Sequence, residues 1–197
     1  APSPPSVQED PMVSLAALWL PILLSAVFVF IASSLIHMVL KYHNTDYRKL
    51  PNEDAVRAAL RSGDPPPGQY VTPYVMDMKE MEKPEVKQKY AEGPVGVVYL
   101  RKPGPVNMGP YLGQWFMFSL VVSLFVAYIA GVALGPGAPY LTVFRLVGAT
   151  AFLAYAAGQV PAAIWMGKPW RVTAKEVFDG LVYGLLTAGT FGWLWPR

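Results

Sequence analysis

The two histidines of the chain are the first side chains whose types and spacing could support chemistry. His37 and His43 lie six residues apart in the segment IHMVLKYHNTDY. On a continuous α-helix this spacing separates them by about 120° around the axis and about 9 Å along it, so both could not be axial ligands of one haem iron. His43 and Asp46 could share a metal ion if the helix continues, but the sequence shows no third ligand. We therefore predict no metal and no cofactor, and keep His37, His43 and Asp46 as the alternative metal ligands.

Acidic residues near the start of the last apolar segment are the second candidate. Glu176, Asp179 and Tyr183 follow the spacing i, i+3, i+7 and therefore share one broad face of a helix. The helix dipole stabilises acidic side chains in the first turns, so capping or pairing with Lys175 or Arg171 is the expected role. A proton path is the alternative. No charged residue falls in the middle of an apolar segment, which argues against a proton-coupled transporter.

Signatures of common enzyme classes are missing from the sequence. It contains no G-x-S-x-G motif, Walker loop, H-E-x-x-H motif or dinucleotide-binding fingerprint. It also has no cysteine, which excludes disulfides and iron–sulfur clusters held by cysteine. The net charge of +3 is spread over the polar segments and gives no indication of nucleic-acid binding. The sequence therefore favours a non-catalytic function, although it leaves the question of an enzyme open.

Four long segments without charge dominate the chain. No Asp, Glu, Lys or Arg occurs in residues 12–40, 103–144, 146–167 or 180–196. A helix of about 20 apolar residues crosses the hydrocarbon core of a bilayer. We therefore predict an all-α membrane protein with transmembrane helices over residues 13–42, 111–134, 140–166 and 172–195, an extracytoplasmic tail over 1–12 and a cytoplasmic loop region over 43–110.

The loop region between the first two helices is predicted to be polar and mostly irregular over about 70 residues. It contains eleven Lys or Arg and nine Asp or Glu between residues 41 and 110, so its charges nearly balance. Within it, LPNEDAVRAALRSG predicts a short helix with Asn52 as its N-cap and Gly63 after its end. GVVYL, residues 96–100, predicts a short strand.

Small residues recur at every fourth position in three of the predicted helices. In lipid, such a series lets helix backbones approach closely, and close packing drives helix association. We expect packing within the chain, and the alternative is a groove for the helix of a partner protein or for a ligand. The series are Ser119, Ser123, Ala127 and Gly131, then Thr150, Ala154 and Gly158, and finally Gly180, Gly184, Ala188 and Gly192.

The distribution of basic residues predicts the orientation of the chain in the membrane. Basic side chains flank the end of the first helix, the start of the second and the connection between the third and fourth. By the positive-inside rule these flanks are cytoplasmic, so both termini are extracytoplasmic in a multi-pass membrane protein. Tryptophans predicted to anchor the helices at the two membrane interfaces are Trp19, Trp115, Trp165, Trp170, Trp193 and Trp195.

Three segments resemble a family of small bacterial inner-membrane proteins with four helices and no assigned activity. They are PILLSAVFVFIASSLIHMVLKYHNTDYRKLPNEDAVRAALR, GAPYLTVFRLVGATAFLAYA and DGLVYGLLTAGTFGWLWPR. The resemblance implies a bacterial inner-membrane protein and assigns no catalytic residue.

Three functions follow from these patterns as hypotheses. The first is a non-catalytic accessory or assembly subunit of a larger respiratory or photosynthetic membrane complex, with the lipid bilayer and other membrane subunits as its partners. The alternative is a small transporter or a protein that binds a lipid or a quinone in a pocket between helices. The third is a metal-dependent membrane enzyme at His37, His43 and Asp46.

Overall fold

The computed structural model describes residues 12–197, which form two compact units. The first unit contains residues 12–44, Asn107–Val160 and Trp170–Arg197, and the second contains Thr45–Val106 and Pro161–Pro169. The predicted extracytoplasmic tail, residues 1–12, lies outside the described residues except for Met12.

Four helices among the described residues are long and apolar enough to cross a bilayer. These candidate spans are Trp19–Val39, Met108–Ala133, Tyr140–Trp165 and Trp170–Leu194. They confirm the prediction of a mainly helical chain with four apolar helices of membrane-spanning length. The side of the membrane that each connection faces stays a prediction.

The first candidate span ends in a break of the helix that the sequence does not predict. Helix α1 covers Trp19–Ser34 and continues as a π-helical turn over Leu35–Val39. Leu40 then adopts an extended conformation (φ −81°, ψ 109°), and a 3₁₀ turn follows over Lys41–Thr45. The assumption of a continuous helix through residue 42 is therefore wrong, because the helical path stops between the two histidines.

The second unit contains two short helices and a two-stranded sheet. Helix α2 covers Glu53–Ser62, strand β1 covers Gly68–Thr72, helix α3 covers Pro84–Glu92 and strand β2 covers Gly96–Leu100. The strands pair antiparallel, with Gly68 opposite Leu100 and Thr72 opposite Gly96. The short helix and the strand predicted here are confirmed. Asn52 is the N-cap residue of α2 as predicted, although its side chain makes no capping hydrogen bond.

The remaining helices complete the candidate spans. Helix α4 covers Met108–Ala133, α5 covers Tyr140–Ala156, α6 covers Val160–Trp165 and α7 covers Trp170–Leu194. A 3₁₀ turn over Ala157–Gln159 separates α5 from α6 within the third candidate span.

Helices α5 and α7 pack closely because α7 presents glycines to α5. A Cβ atom added to Gly180 would lie 2.9 Å from the Cβ of Ala156, and one added to Gly192 would lie 2.7 Å from the ring of Tyr140. The contacts run in opposite directions along the two sequences, so the helices are antiparallel. Helix backbones can approach this closely only where side chains are very small.

Helices α1 and α4 also pack through small residues. The Oγ atoms of Ser25 and Ser123, both fully buried, lie 2.9 Å apart in a hydrogen bond between the helices. Gly131 leaves room for the backbone of Val13, whose N–H donates to the Gly131 carbonyl at 3.0 Å. The hydrogen bond with Ser123 satisfies the hydroxyl of Ser25 inside an apolar core, where an unpaired hydroxyl would be costly.

Candidate functional site

A cavity of about 550 Å³ lies within the first unit. Its residues come from the end of the first candidate span, the first half of α4, the end of α5 with its 3₁₀ turn, and the first half of α7, so the cavity lies toward one end of the helices. Its apolar lining residues are Met38, Met108, Leu112, Trp115, Phe118, Ala154, Tyr155 and Gly158. The polar lining residues are Ser33, Ser34, His37, Gln159, Glu176, Asp179 and Tyr183.

The break at Leu40 brings the two histidines together beside this cavity. The imidazole rings of His37 and His43 are stacked, with centroids 4.5 Å apart and ring planes 7° from parallel. The separation of about 9 Å expected for a continuous helix is therefore wrong. A π-helical turn, such as the one that carries His37, is frequently found at functional sites.

Asp179 joins the two histidines from a distant part of the sequence. Its carboxylate is buried, with the residue only 3% exposed, and Oδ1 accepts a hydrogen bond from the Tyr42 hydroxyl. The other oxygen, Oδ2, lies 2.9 Å from Nε2 of His43 and 3.9 Å from Nε2 of His37. Because α7 begins at Trp170, Asp179 lies in its third turn, and its carboxylate contacts Tyr42 and His43.

Three further contacts hold this cluster in place. The ammonium group of Lys175, one turn before Asp179 on α7, donates to the backbone carbonyl of Tyr42. On the other side, the carbonyl of Ser33 lies 3.0 Å from Nδ1 of His37, and the hydroxyl of Ser33 accepts from the indole N–H of Trp115 at 2.7 Å. Contacts from α7 and α4 therefore fix the 3₁₀ turn and the end of the first candidate span.

Aromatic rings form one wall of the cavity. The ring centroids of Trp115 and Tyr183 are 5.9 Å apart, and those of Tyr155 and Tyr183 are 5.5 Å apart. The hydroxyl of Tyr183 is buried and has no hydrogen-bond partner among the described residues. Buried polar groups in native proteins almost always have a hydrogen-bond partner, so this hydroxyl is an exception, and its oxygen has almost no surface open to the cavity.

Two of the three small residues predicted in the third candidate span line this cavity. Ala154 and Gly158 line it, and a Cβ atom added to Gly158 would meet nothing within 4 Å. Helix α5 packs on α7 through other residues, among them Phe152 and Ala156. Thr150 turns its hydroxyl back to the Leu146 carbonyl.

The other two series of small residues lie inside the first unit. Ser119, Ser123, Ala127 and Gly131 of α4 are buried, as are Gly180, Gly184 and Ala188 of α7, and Gly192 packs against Tyr140. A neighbouring helix of the same chain therefore covers these surfaces.

The remaining predicted site residues lie elsewhere. Asp46 belongs to the second unit, whereas His37 and His43 belong to the first. Four of the predicted anchor tryptophans are exposed, namely Trp19, Trp165, Trp170 and Trp193. Trp115 lines the cavity, and Trp195 is buried with its indole N–H donating to the Gly135 carbonyl at 3.0 Å.

The chain was compared with protein-family models, with curated proteins and with solved structures, and none of the three comparisons gave a match.

Proposed function

We propose that this protein binds a lipophilic molecule with an oxygen-bearing head group, of the lipid or quinone class, in the cavity of the first unit. The observation that carries the proposal is a cavity of about 550 Å³ with mainly apolar walls and a few polar side chains, among them His37 and Gln159. Small-molecule sites combine a cavity of about 300–1,000 Å³ with apolar walls and a few convergent polar groups.

The arrangement of the lining residues explains how an amphiphilic molecule would be oriented. The apolar body would contact Leu112, Trp115 and Phe118, which remove it from water. The head group would meet the polar side chains of His37 and Gln159. A lipid or quinone enters from the bilayer, so its binding agrees with a cavity among candidate membrane spans.

The cavity supports this proposal more directly than the role of an accessory subunit. The grooves of small residues suggested a site for the helix of a partner subunit. The chain itself fills the groove of α7 at Gly180, Gly184 and Gly192. Membership of a larger complex is compatible with ligand binding and stays an alternative. Placement in a bacterial inner membrane, with both termini extracytoplasmic, remains part of the proposal.

A pair of glycine substitutions tests ligand binding. Gly158 lines the cavity, whereas Gly113 is exposed on α4 outside the lining, and an added Cβ meets nothing within 4 Å at either. The protein would be purified in lipid nanodiscs, and bound small molecules would be quantified by native mass spectrometry and by chromatography of solvent extracts. We expect a stoichiometric ligand in the wild type, at least a ten-fold loss in Gly158→Leu and full retention in Gly113→Leu.

Two results would contradict the proposal. One is the absence of any stoichiometric lipophilic molecule from the wild type, also after incubation with lipid extract or with a soluble ubiquinone analogue. The other is equal retention in Gly158→Leu and Gly113→Leu, which would place the bound molecule outside the cavity.

A further inference from the structure

We propose that His37, His43 and Asp179 form a binding site for a divalent transition-metal cation such as Zn²⁺. One ligand atom from each of the three side chains lies within 4.8 Å of the other two. This inference goes beyond the proposed binding of a lipophilic molecule and does not depend on it.

The distances between the carboxylate of Asp179 and the two imidazoles are close to those between neighbouring ligand atoms of a metal ion. Zn–N and Zn–O bonds of about 2.0–2.2 Å in a tetrahedral site place neighbouring ligand atoms about 3.4 Å apart. The distances from Oδ2 of Asp179 to Nε2 of His43, 2.9 Å, and to Nε2 of His37, 3.9 Å, bracket this value. To complete the geometry, the imidazole rings, which are stacked 7° from parallel, must also rotate until both Nε2 atoms point at one ion.

Hydrogen bonds to the backbone and to a tyrosine orient two of the three ligands, His37 and Asp179. A carbonyl oxygen only accepts, so the contact of 3.0 Å between the Ser33 carbonyl and Nδ1 of His37 requires a proton on Nδ1. Nε2 of His37 is then the nitrogen that can coordinate, and it faces the carboxylate of Asp179. The Tyr42 hydroxyl occupies Oδ1 of Asp179 and leaves Oδ2 to the histidines. Outer hydrogen bonds of this kind orient metal ligands in proteins.

The burial of Asp179 gives a reason for a cation. Its side chain is 4% exposed and that of His43 is 14% exposed. A buried carboxylate is costly unless it is paired and hydrogen-bonded. A divalent cation would replace the proton that the hydrogen bond between His43 and Asp179 requires, and would attract the second imidazole as well.

The donor set indicates the class of cation. Two imidazole nitrogens and one carboxylate oxygen suit Zn²⁺ and Fe²⁺ in preference to Mg²⁺ or Ca²⁺, which favour oxygen ligands. Three protein ligands leave at least one coordination position free, as in catalytic zinc sites. The side chain of His37 is 51% exposed, and His37 and Asp179 both line the cavity, so the ion would lie at the cavity wall.

Direct metal binding by the purified full chain tests the site. Protein without a histidine tag would be stripped with chelator in nanodiscs and titrated with Co²⁺ and Zn²⁺. Equilibrium dialysis with elemental analysis would give the stoichiometry, and the visible absorption of Co²⁺ would report its ligands. We expect one equivalent per chain, at least a ten-fold weaker affinity in His37→Ala and in Asp179→Asn, and no change in Glu176→Gln.

Glu176→Gln is the matched control, because Glu176 lies one turn from Asp179 on α7 and also lines the cavity. The proposal is overturned if the wild type binds no equivalent, or if His37→Ala and Asp179→Asn bind as the wild type does. An equal loss of metal affinity in Glu176→Gln would also overturn the proposal, because the cation would then be attracted by the overall negative charge of the cavity. If Asp179→Asn fails to fold, His37→Ala decides the outcome, since the His37 side chain is half exposed.

Discussion

The hydroxyl of Tyr183 lies buried at the cavity wall without a hydrogen-bond partner among the described residues. Leaving such a group unpaired costs about 1–3 kcal/mol of folding free energy. We therefore expect Tyr183→Phe to keep or raise the Tm of the delipidated protein. The same substitution should leave retention of the lipophilic ligand unchanged, because the buried hydroxyl oxygen has almost no surface open to the cavity. Thermal unfolding and extraction of bound molecules measure the two effects.

Tyr128→Phe is the control for this substitution. Tyr128 also lies on a candidate span but is 57% exposed, so removing its hydroxyl should change neither the Tm nor the bound ligand. A clear fall in the Tm of delipidated Tyr183→Phe would show that the hydroxyl has a stabilising partner, contrary to our expectation.

The site residues could be predicted from the sequence only as separate pieces. The histidines stood out as the only two in the chain, and Asp179 stood out as an acid beside an apolar segment. Their juxtaposition could not be predicted, because His43 and Asp179 are 136 residues apart in sequence. The spacing of His43 and Asp46 pointed to a different carboxylate, because short-range periodicity describes only neighbours on one helix.

At the scale of helices, replacing glycine with alanine should change the Tm in opposite directions at Gly113 of α4 and at Gly180 of α7. Alanine favours a helix over glycine by about 1 kcal/mol, so Gly113→Ala, at an open position of α4, should raise the Tm. Gly180→Ala should lower it, because the new methyl group would lie 2.9 Å from the Cβ of Ala156 and about 3.1 Å from its backbone. Overpacking of this kind costs about 1–3 kcal/mol.

Unfolding of both variants in the same detergent, by heat or by increasing fractions of SDS, would measure the difference. Equal stabilisation by both substitutions would show that α5 and α7 are not in close contact at Gly180. A lower stability of both would instead point to a general intolerance of side chains at these glycines.

The break after α1 shows where element boundaries depend on distant contacts. The segment LIHMVL is apolar and compatible with a helix, so nothing local predicts an end at Leu40. The contacts that fix the following 3₁₀ turn come from α7, through Lys175 to the Tyr42 carbonyl and through Asp179 to the Tyr42 and His43 side chains. Tertiary hydrogen bonds therefore overrode the local helical preference.

At the scale of the whole molecule, the four apolar helices were predictable because a bilayer imposes a simple requirement. A membrane span needs about 20 residues with few charges, and that pattern can be recognised in the sequence without knowledge of any tertiary contact. The cavity was not predictable, since it depends on which small residues pack on another helix and which remain open. Gly180 and Gly158 are alike in sequence terms, yet the first packs on Ala156 and the second lines the cavity.

The predicted orientation can be tested because the chain has no cysteine of its own. Lys79, before α4, and Pro136, after α4, are both exposed and can each be replaced by a single cysteine. If α4 crosses the membrane, the two positions lie on opposite sides. Basic residues Arg101 and Lys102 precede α4, and the connection from α4 to α5 has none, so the positive-inside rule places Lys79 in the cytoplasm.

A membrane-impermeant maleimide applied to intact bacterial spheroplasts distinguishes the two sides. We expect Pro136→Cys to be labelled at once and Lys79→Cys to be labelled only after the membrane is permeabilised. The reverse pattern would leave four spans intact but invert the orientation, and with it the side from which a head group or a cation reaches His37 and Asp179. Equal labelling of both cysteines in intact cells would show that α4 does not separate two compartments, which would contradict the membrane topology itself.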